Sequence, residues 1–398
     1  MAKPKVYFGS FNHGRIAREF SMSVKFDEIL NQLDFSTIKK KDKVAIKMHL
    51  GFKDGFQTVP VFFIRRLVQK VKETGAFPFI TDNPTAVYNA VDRGYTAETC
   101  GCPIIPIAGL KDNYKHRVEV NYKTVDFLDM AGVMKDSDVL IDVSHVKGHG
   151  TAGFGGAFKN IALGGYCGTS RWRKIHGVEK SAPYWDADKC SPEHGKKLVE
   201  SCPYKAMKYD SEKHHLDLGF GNCHNGNCLE CLKVDEGVGC LSIPKEGFAH
   251  FQELMAITSK KILECYDDDK KFFLNFIMDV TPHCDCLGMV QPQVVPDIGI
   301  VGGRDIVAVE EASLDLVKRA RFLKDQLPPY LKHVSDDEAL HPFQRIWGPY
   351  KDPYLVNEYG EKLGLGARDY ELVEILPASE TKDLEPGKHS FEAQATFF

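Results

Sequence analysis

The chain carries no excess of charge of one sign. Its 51 Lys and Arg against 55 Asp and Glu leave a net charge of -4 over 398 residues, which excludes the basic footprint of a nucleic-acid binder. It has no apolar run long enough to span a bilayer, so no membrane role is expected. Its start, MAKPKVYFGS, lacks the apolar h-region of a secretory signal, which makes the cytoplasm the expected compartment. Repeats and low-complexity tracts are missing too. No dinucleotide fingerprint occurs. The nearest approach, IGIVGG between Asp297 and Asp305, also lacks the lysine and spacing of a phosphate-binding P-loop, so neither NAD nor ATP dependence is expected.

What the chain does have is enough apolar residue, 43%, for two domains or one large domain carrying an insertion. KVAIKMHLG (43 to 51) reads as a strand, PVFFIRRLVQKVKETGA (60 to 76) as a helix with a glycine stop, and FPFITDN (77 to 83) as a second strand. SDVLIDVSHVKGHG (137 to 150) adds a strand running into a loop. KKFFLNFIMDV (270 to 280) adds a buried one, and PDIGIVGGRDIVAVEEASLDLVKRA (296 to 320) reads as strand, glycine turn and helix. Strands alternating with helices predict an α/β fold, a mainly parallel sheet with helices on both faces. The expected division is an α/β domain over 1 to 180 and 248 to 398, ending in an irregular tail, with a ferredoxin-like α+β module inserted at 181 to 247.

Ligands of such sheets bind beyond the carboxyl ends of the strands. His49, Asp82, His145 and His149 each fall at or just after a predicted strand end. Asp82, in TDNP, is most simply a turn residue and otherwise a carboxylate supporting its neighbours. The stretch GHGTAGFGGAFKN (148 to 160) holds five glycines, His149 and Lys159. Successive backbone N–H groups at Gly153, Gly155 and Gly156 would cradle an anionic cofactor, and Lys159 would anchor an anion or act as a nucleophile. His149, His145 and the later His176 would bind metal or shuttle protons. The plain alternative makes Lys159 a surface lysine on a helix starting near Gly156, and the histidines ordinary loop residues.

Twelve cysteines without an export signal argue for metal or redox chemistry over a disulfide framework. Six of them, Cys190, Cys202, Cys223, Cys228, Cys231 and Cys240, fall within about fifty residues. In two-cluster ferredoxins the last cysteine of each run, followed by proline, ligates the other run's cluster. Cys202-Pro203 ends such a run, and Cys223, Cys228 and Cys231 begin the next. The crossed rule therefore joins these four around one 4Fe-4S cluster. Cys190 and Cys240 remain as the remnant of a lost partner, with His194 or His224 as substitute ligands. Four thiolates holding zinc is the alternative. HCDC (283 to 286) places Cys284 and Cys286 on one side of an extended chain, as a further metal or redox site or as buried thiols. Cys100, Cys102, Cys167 and Cys265 read as structural.

DVSHVKGHGTAGFGGAFKNIALG, the cysteine window, DVTPHCDC and PDIGIVGGRDIVAVEEAS together resemble the uncharacterised Fe-S centre protein family, a domain of unknown function with ferredoxin modules. The resemblance covers most of residues 1 to 320. It implies a shared fold neighbourhood and an iron-sulfur centre, and defines no reaction. The glycine loop is more distantly similar to the catalytic subunit of lactate racemase, whose nickel-pincer nucleotide is held by a Gly-Gly-x-Lys lysine flanked by two histidines. Here His149 stands ten residues before Lys159 and His176 seventeen after it. The chain departs from that pattern at Ala157-Phe158, in its inserted module, and in having no arginine-rich substrate motif.

Three functions are expected, in order. The first is a cytoplasmic redox enzyme whose cluster relays electrons to a small molecule at the His/Lys loop, with a redox partner protein. The second is a non-catalytic electron carrier or iron-sulfur assembly partner. The third is a metal-cofactor isomerase.

Overall fold

A computed structural model describes residues 3–243 and 245–385. Eight strands form one sheet: β1 (Lys5–Ser10), β2 (Lys43–Met48), β3 (Phe77–Asp82), β4 (Ile104–Pro106), β7 (Val139–His145), β12 (Lys271–Ile277), β13 (Gly299–Gly303) and β14 (Glu371–Glu374). Their order is β14-β1-β13-β12-β7-β2-β3-β4. Only β13 runs against its neighbours β12 and β1; the other pairs are parallel. The sheet is mainly parallel, as the alternation of strands and helices implied.

Period-two side chains explain why helices cover both faces. Val44, Ile46 and Met48 of β2, Val139, Ile141 and Val143 of β7, and Phe272, Leu274 and Phe276 of β12 enter one core. Ala45, Leu140 and Phe273 enter the other. Helix Val61–Glu73 seals the first core with Phe63, Ile64, Leu67, Val68 and Val71, a single helical stripe. Helices Ala157–Gly164, Lys245–Leu263 and Ile306–Arg319 seal the second. Each of these fully buried aliphatic or aromatic side chains contributes about 1.5–3 kcal/mol relative to exposure.

From β2 the chain moves outward through β3 and β4, then returns to lay β7 on the other side of β2. The strand order therefore reverses between β2 and β7, and their carboxyl ends diverge over a crevice. Two hairpins stand apart from this sheet: β5 (Lys115–Tyr122) with β6 (Val125–Ala131), and β8 (Lys147–His149) with β9 (Gly153–Gly155).

Between Ala182 and Ile243 lies a small α+β unit with its own core, including Leu198, Met207, Leu216, Leu218 and Phe220. It consists of helix Pro192–Ser201, the hairpin of β10 (Met207–Asp210) with β11 (His215–Leu218), and helix Glu230–Val234. Its ends meet where Trp185 bridges Leu241. The stretch beyond residue 330 carries more than its irregular sequence promises. It supplies helices Pro342–Trp347 and Leu355–Lys362 and the edge strand β14.

Candidate functional site

The crevice at the strand reversal is a cleft of about 390 Å3. Its walls include His49, Asp82, His145, His149, Lys159, His176, Cys284 and Cys286, all singled out above.

The floor is built on one carboxylate. Asp82, at the end of β3, accepts hydrogen bonds from His49 Nδ1 at 2.8 Å, Leu50 N at 3.0 Å and Lys47 Nζ at 3.2 Å. Burial alone would raise its pKa, but Lys47 and His49 outweigh burial and hold it far below the usual carboxylate range. Asp82 is thus a support rather than a turn residue. A carboxylate only accepts, so His49 Nδ1 carries the hydrogen. That leaves His49 Nε2 buried and without a partner among the described residues. Lys47 also donates to Asn160 Oδ1 at 2.8 Å, and Asn160 donates to Asp142 at 2.7 Å. Burial pushes the Asp142 carboxyl up to about 8, so it is largely protonated at neutral pH.

The glycine loop is a close-packed hairpin. A Cβ at Gly150 would lie 1.9 Å from the Gly221 carbonyl, and one at Gly156 would lie 2.3 Å from the Glu310 carboxylate. Backbone and carboxylate approach where no side chain fits. Of the three glycines expected to cradle an anion, Gly155 and Gly156 line the cleft and Gly153 does not. Gly153 and Gly155 are paired with His149 and Lys147 across the hairpin. The helix start after Gly156 is already taken by Glu310, which accepts Ala157 N at 2.9 Å and Phe158 N at 3.1 Å. Burial raises this carboxyl to about 7.

Lys159 is not a surface residue. It stands on the first turn of helix Ala157–Gly164 with Nζ 3.6 Å from Cys284 Sγ. Burial lowers its pKa to about 8, against an opposing pull from Asp285. His149 Nδ1 accepts two backbone N–H groups, Thr151 at 3.1 Å and Ala152 at 2.9 Å. An accepting Nδ1 places the proton on Nε2. Burial, then Lys159 and His176, keep this ring neutral by lowering its pKa well below the ordinary value. His176 stacks between Trp172 and Phe251, each 5.3 Å away, and 6.4 Å from His149. Burial and Lys159 lower its pKa to about 3.

Cys284 and Cys286 are joined by a disulfide across Asp285. Asp285 accepts from Lys147 Nζ at 2.6 Å and from His145 Nδ1 at 2.9 Å, while His145 Nε2 meets the Met278 carbonyl at 2.7 Å. Both His145 nitrogens are therefore engaged, which leaves neither for a ligand. His145 positions the Asp285 loop.

In the small unit, Cys202, Cys223, Cys228 and Cys231 line one enclosed cavity of about 20 Å3. The donor set suits a thiophilic metal: it is four sulfurs, and Ala206 N–H donates to Cys202 Sγ at 3.3 Å, which favours the thiolate form that would ligate. Burial and mutual repulsion with Cys223, Cys202 and Cys228 push the Cys231 thiol up to about 12. His224 lies at this cavity, stacked 3.9 Å from Tyr204, with Nδ1 on the Ile346 carbonyl at 2.7 Å. It is not beside Cys190 and Cys240. His194 is there instead, through Asp235. Cys100, Cys102 and Cys167 are buried and Cys265 is half-buried, none of them in the cleft or the cavity.

Lys351 ties the two places together. Its buried ammonium donates to the carbonyls of Gly150 at 2.5 Å, Phe220 at 2.8 Å and Cys223 at 2.8 Å. Burial lowers its pKa to about 8, opposed by Cys223 and Glu179. Sequence reading missed Lys351, Lys47, Asp142 and Glu310. For the last three a signal existed, since each puts an ionisable side chain inside an otherwise apolar strand or helix pattern.

Two groups among the described residues bring metal-binding atoms within 4.8 Å of one another: His149 with Cys284 and Cys286, and His194 with Asp235 and Cys240. For the first, His149 Nδ1 already accepts two backbone N–H groups and the two sulfurs are joined in a disulfide. Among the described residues no helix is long and apolar enough to cross a membrane.

Fold and site thus define an α/β protein with a polar cleft at its strand reversal and His/Cys groups able to hold a metal. The chain belongs to the family described as Domain of unknown function (DUF362), whose model matches residues 44–315. No curated protein matches it. Among solved structures it is similar to the lactate racemase apoprotein from Thermoanaerobacterium thermosaccharolyticum, at 11% identity and a TM-score of 0.34. That match covers 73% of this chain and spans about half (51%) of the racemase chain.

Proposed function

We propose that this protein is a redox enzyme that passes electrons between a 4Fe-4S cluster on Cys202, Cys223, Cys228 and Cys231 and a small molecule in the cleft. A cluster so held would supply one-electron transfer at a potential set by charge, hydrogen bonds to sulfur and exposure. The observation that carries the reading is contact between the two places. Gly150 lies against Gly221, and one Lys351 ammonium holds carbonyls from both. A second link runs through rings: His224 is 4.9 Å from Trp347, Trp347 is 4.6 Å from His283, and His283 precedes Cys284.

In the cleft, Lys159 and the Nε2–H of His149 hold an anionic group of the substrate, while His49 Nε2, backed by Asp82, takes or returns a proton. Leu163 and Tyr166 carbonyls fix the buried Arg171 guanidinium as further positive charge on the wall. The Cys284–Cys286 pair stores two electrons. Its reduction to two thiols consumes two electrons, delivered singly through the cluster from a ferredoxin-class donor protein, and two protons taken from solvent.

Anaerobic purification with iron and sulfide analysis tests this. The expected result is about four of each per chain, a visible band bleached by dithionite and an electron paramagnetic resonance signal on reduction. Zinc without iron at these four cysteines would overturn it. The clustering of Lys159 with His149 and His176 favours the metal-cofactor isomerase as a second reading, which nickel in the same metal analysis would support. A non-catalytic carrier has no use for an open cleft with an unpartnered His49 Nε2.

A further inference from the structure

The unit between Ala182 and Ile243 has a second convergence of ligands, away from both the four-thiol cavity and the cleft. His194 Nε2 lies 2.9 Å from Asp235 Oδ1, and Cys240 Sγ lies 3.1 Å from the same oxygen. These three donor atoms all fall within 4.8 Å of one another. The Cys190 thiol neighbours Cys240 and donates to the Ser191 carbonyl at 3.6 Å, outside the 4.8 Å group itself. Cys190 and Cys240 are 4% and 0% exposed, so neither sulfur is a free surface thiol.

We propose that His194, Asp235 and Cys240, with the neighbouring Cys190 thiol drawn in as the fourth ligand, form a mononuclear divalent-metal site of the zinc class. The crossed ligand rule puts the second ferredoxin cluster between Cys190 and Cys240. Here a nitrogen and an oxygen replace the missing sulfurs, and His194 and Cys240 both lie against one carboxylate oxygen. That is too tight for a cubane and right for one ion. Zinc bonds of about 2.0–2.3 Å place tetrahedral ligands within about 4 Å of each other.

The surroundings orient the donors as metal sites require. Leu241 N–H holds Asp235 Oδ2 at 2.8 Å and turns Oδ1 toward His194 and Cys240, whose hydrogen bonds to it an ion would replace. Ser191 caps helix Pro192–Ser201 by accepting His194 N–H at 3.1 Å, which fixes His194 on the first turn, four residues after Cys190. Asp186 N–H on the Cys240 carbonyl at 2.8 Å draws the two ends of the unit together at this point. An ion here closes a loop of about fifty residues whose own apolar core is small, a setting in which metal staples contribute to folding outright. The four-thiol cavity pins one end of the unit, and the proposed ion pins the other.

The test uses the full-length protein and the metals themselves. After anaerobic growth in zinc-containing medium, X-ray absorption at the zinc edge is expected to show one zinc per chain with two sulfur and two nitrogen or oxygen neighbours. Cobalt(II), exchanged into this site, should give tetrahedral ligand-field bands and a thiolate charge-transfer band. Cys190→Ser combined with Cys240→Ser should abolish both signals, with the iron content and its visible band unchanged. A four-sulfur zinc shell would place the metal in the other cavity and overturn the proposal. So would a parent protein that retains no zinc and takes up no cobalt(II), meaning that Asp235 is only a hydrogen-bond hub. Should the double variant not fold, His194→Gln keeps both thiols, and its zinc shell is expected to change in nitrogen content alone. An unchanged shell there would overturn the assignment of His194.

Discussion

Asp82 holds His49 and Lys47 at once, through Nδ1 at 2.8 Å and Nζ at 3.2 Å, with the carboxylate and ammonium each 1% exposed. One side chain thereby sets both the ring at the cleft rim and the charge on its floor. Removing one partner of such a buried pair strands the other. Asp82→Asn is expected to cost about 3–5 kcal/mol in chemical denaturation. Asp82→Asn with Lys47→Met should cost less than Asp82→Asn alone, because no unpaired ammonium remains. Equal losses would show that the pair is not coupled.

Lys159 should titrate near pH 8. Burial penalises its charged form in the folded protein, so between about 8 and the ordinary lysine value the unfolded chain binds more protons. Stability contributed by this group therefore rises with pH across that window, and the penalty is fully present below it. Reductive methylation with carbon-13 and NMR titration reads the midpoint directly. Lys159→Met should be more stable than the parent at pH 7, with a gap that narrows as pH rises. A midpoint above 10 would contradict the buried placement.

His149 should be neutral across the physiological range with its hydrogen on Nε2. Long-range nitrogen-15 correlation spectra distinguish the two ring nitrogens. An Nδ1–H tautomer, or a shift of Nε2 on adding zinc, would mean that the loop opens and that the first metal-capable group is a real one.

Cys284 and Cys286 should resist alkylation in denaturant until a reductant is added, and ten other thiols should react without it. Mass spectrometry of the tryptic peptide gives the count. Labelling of both residues in the unreduced, aerobically handled protein would remove the two-electron store from the proposed function.

Much of the architecture could be read locally. The apolar runs of β2, β3, β7 and β12 and the stripe of helix Val61–Glu73 follow from period and stop signals. So does the meeting of strand-end histidines, since ends of neighbouring parallel strands must lie together. The grouping of Cys202 with Cys223, Cys228 and Cys231 around one cavity was legible from their spacing and the crossed ligand rule. Other features depend on contacts between distant residues. Glu310 fills the helix start after Gly156 from 153 residues away, so a glycine loop that looks ready for an anion is already occupied. Lys351 sits in GPYKDPY, where nothing nearby in sequence distinguishes it from a loop lysine. A buried ionisable group inside an apolar run, as at Lys47 and Asp142, reads locally as a break in pattern. Only the sheet reveals it as a floor.

The absence of room for even a methyl group between Gly150 and Gly221 restricts how this protein can be altered. Grafting the inserted unit onto another scaffold would have to carry the hairpin tip and Lys351 along with it. Lengthening either segment on its own would force them apart. Two stretches some seventy residues apart in the gene are in effect one mechanical part, and sequence drift in either is answerable to the other.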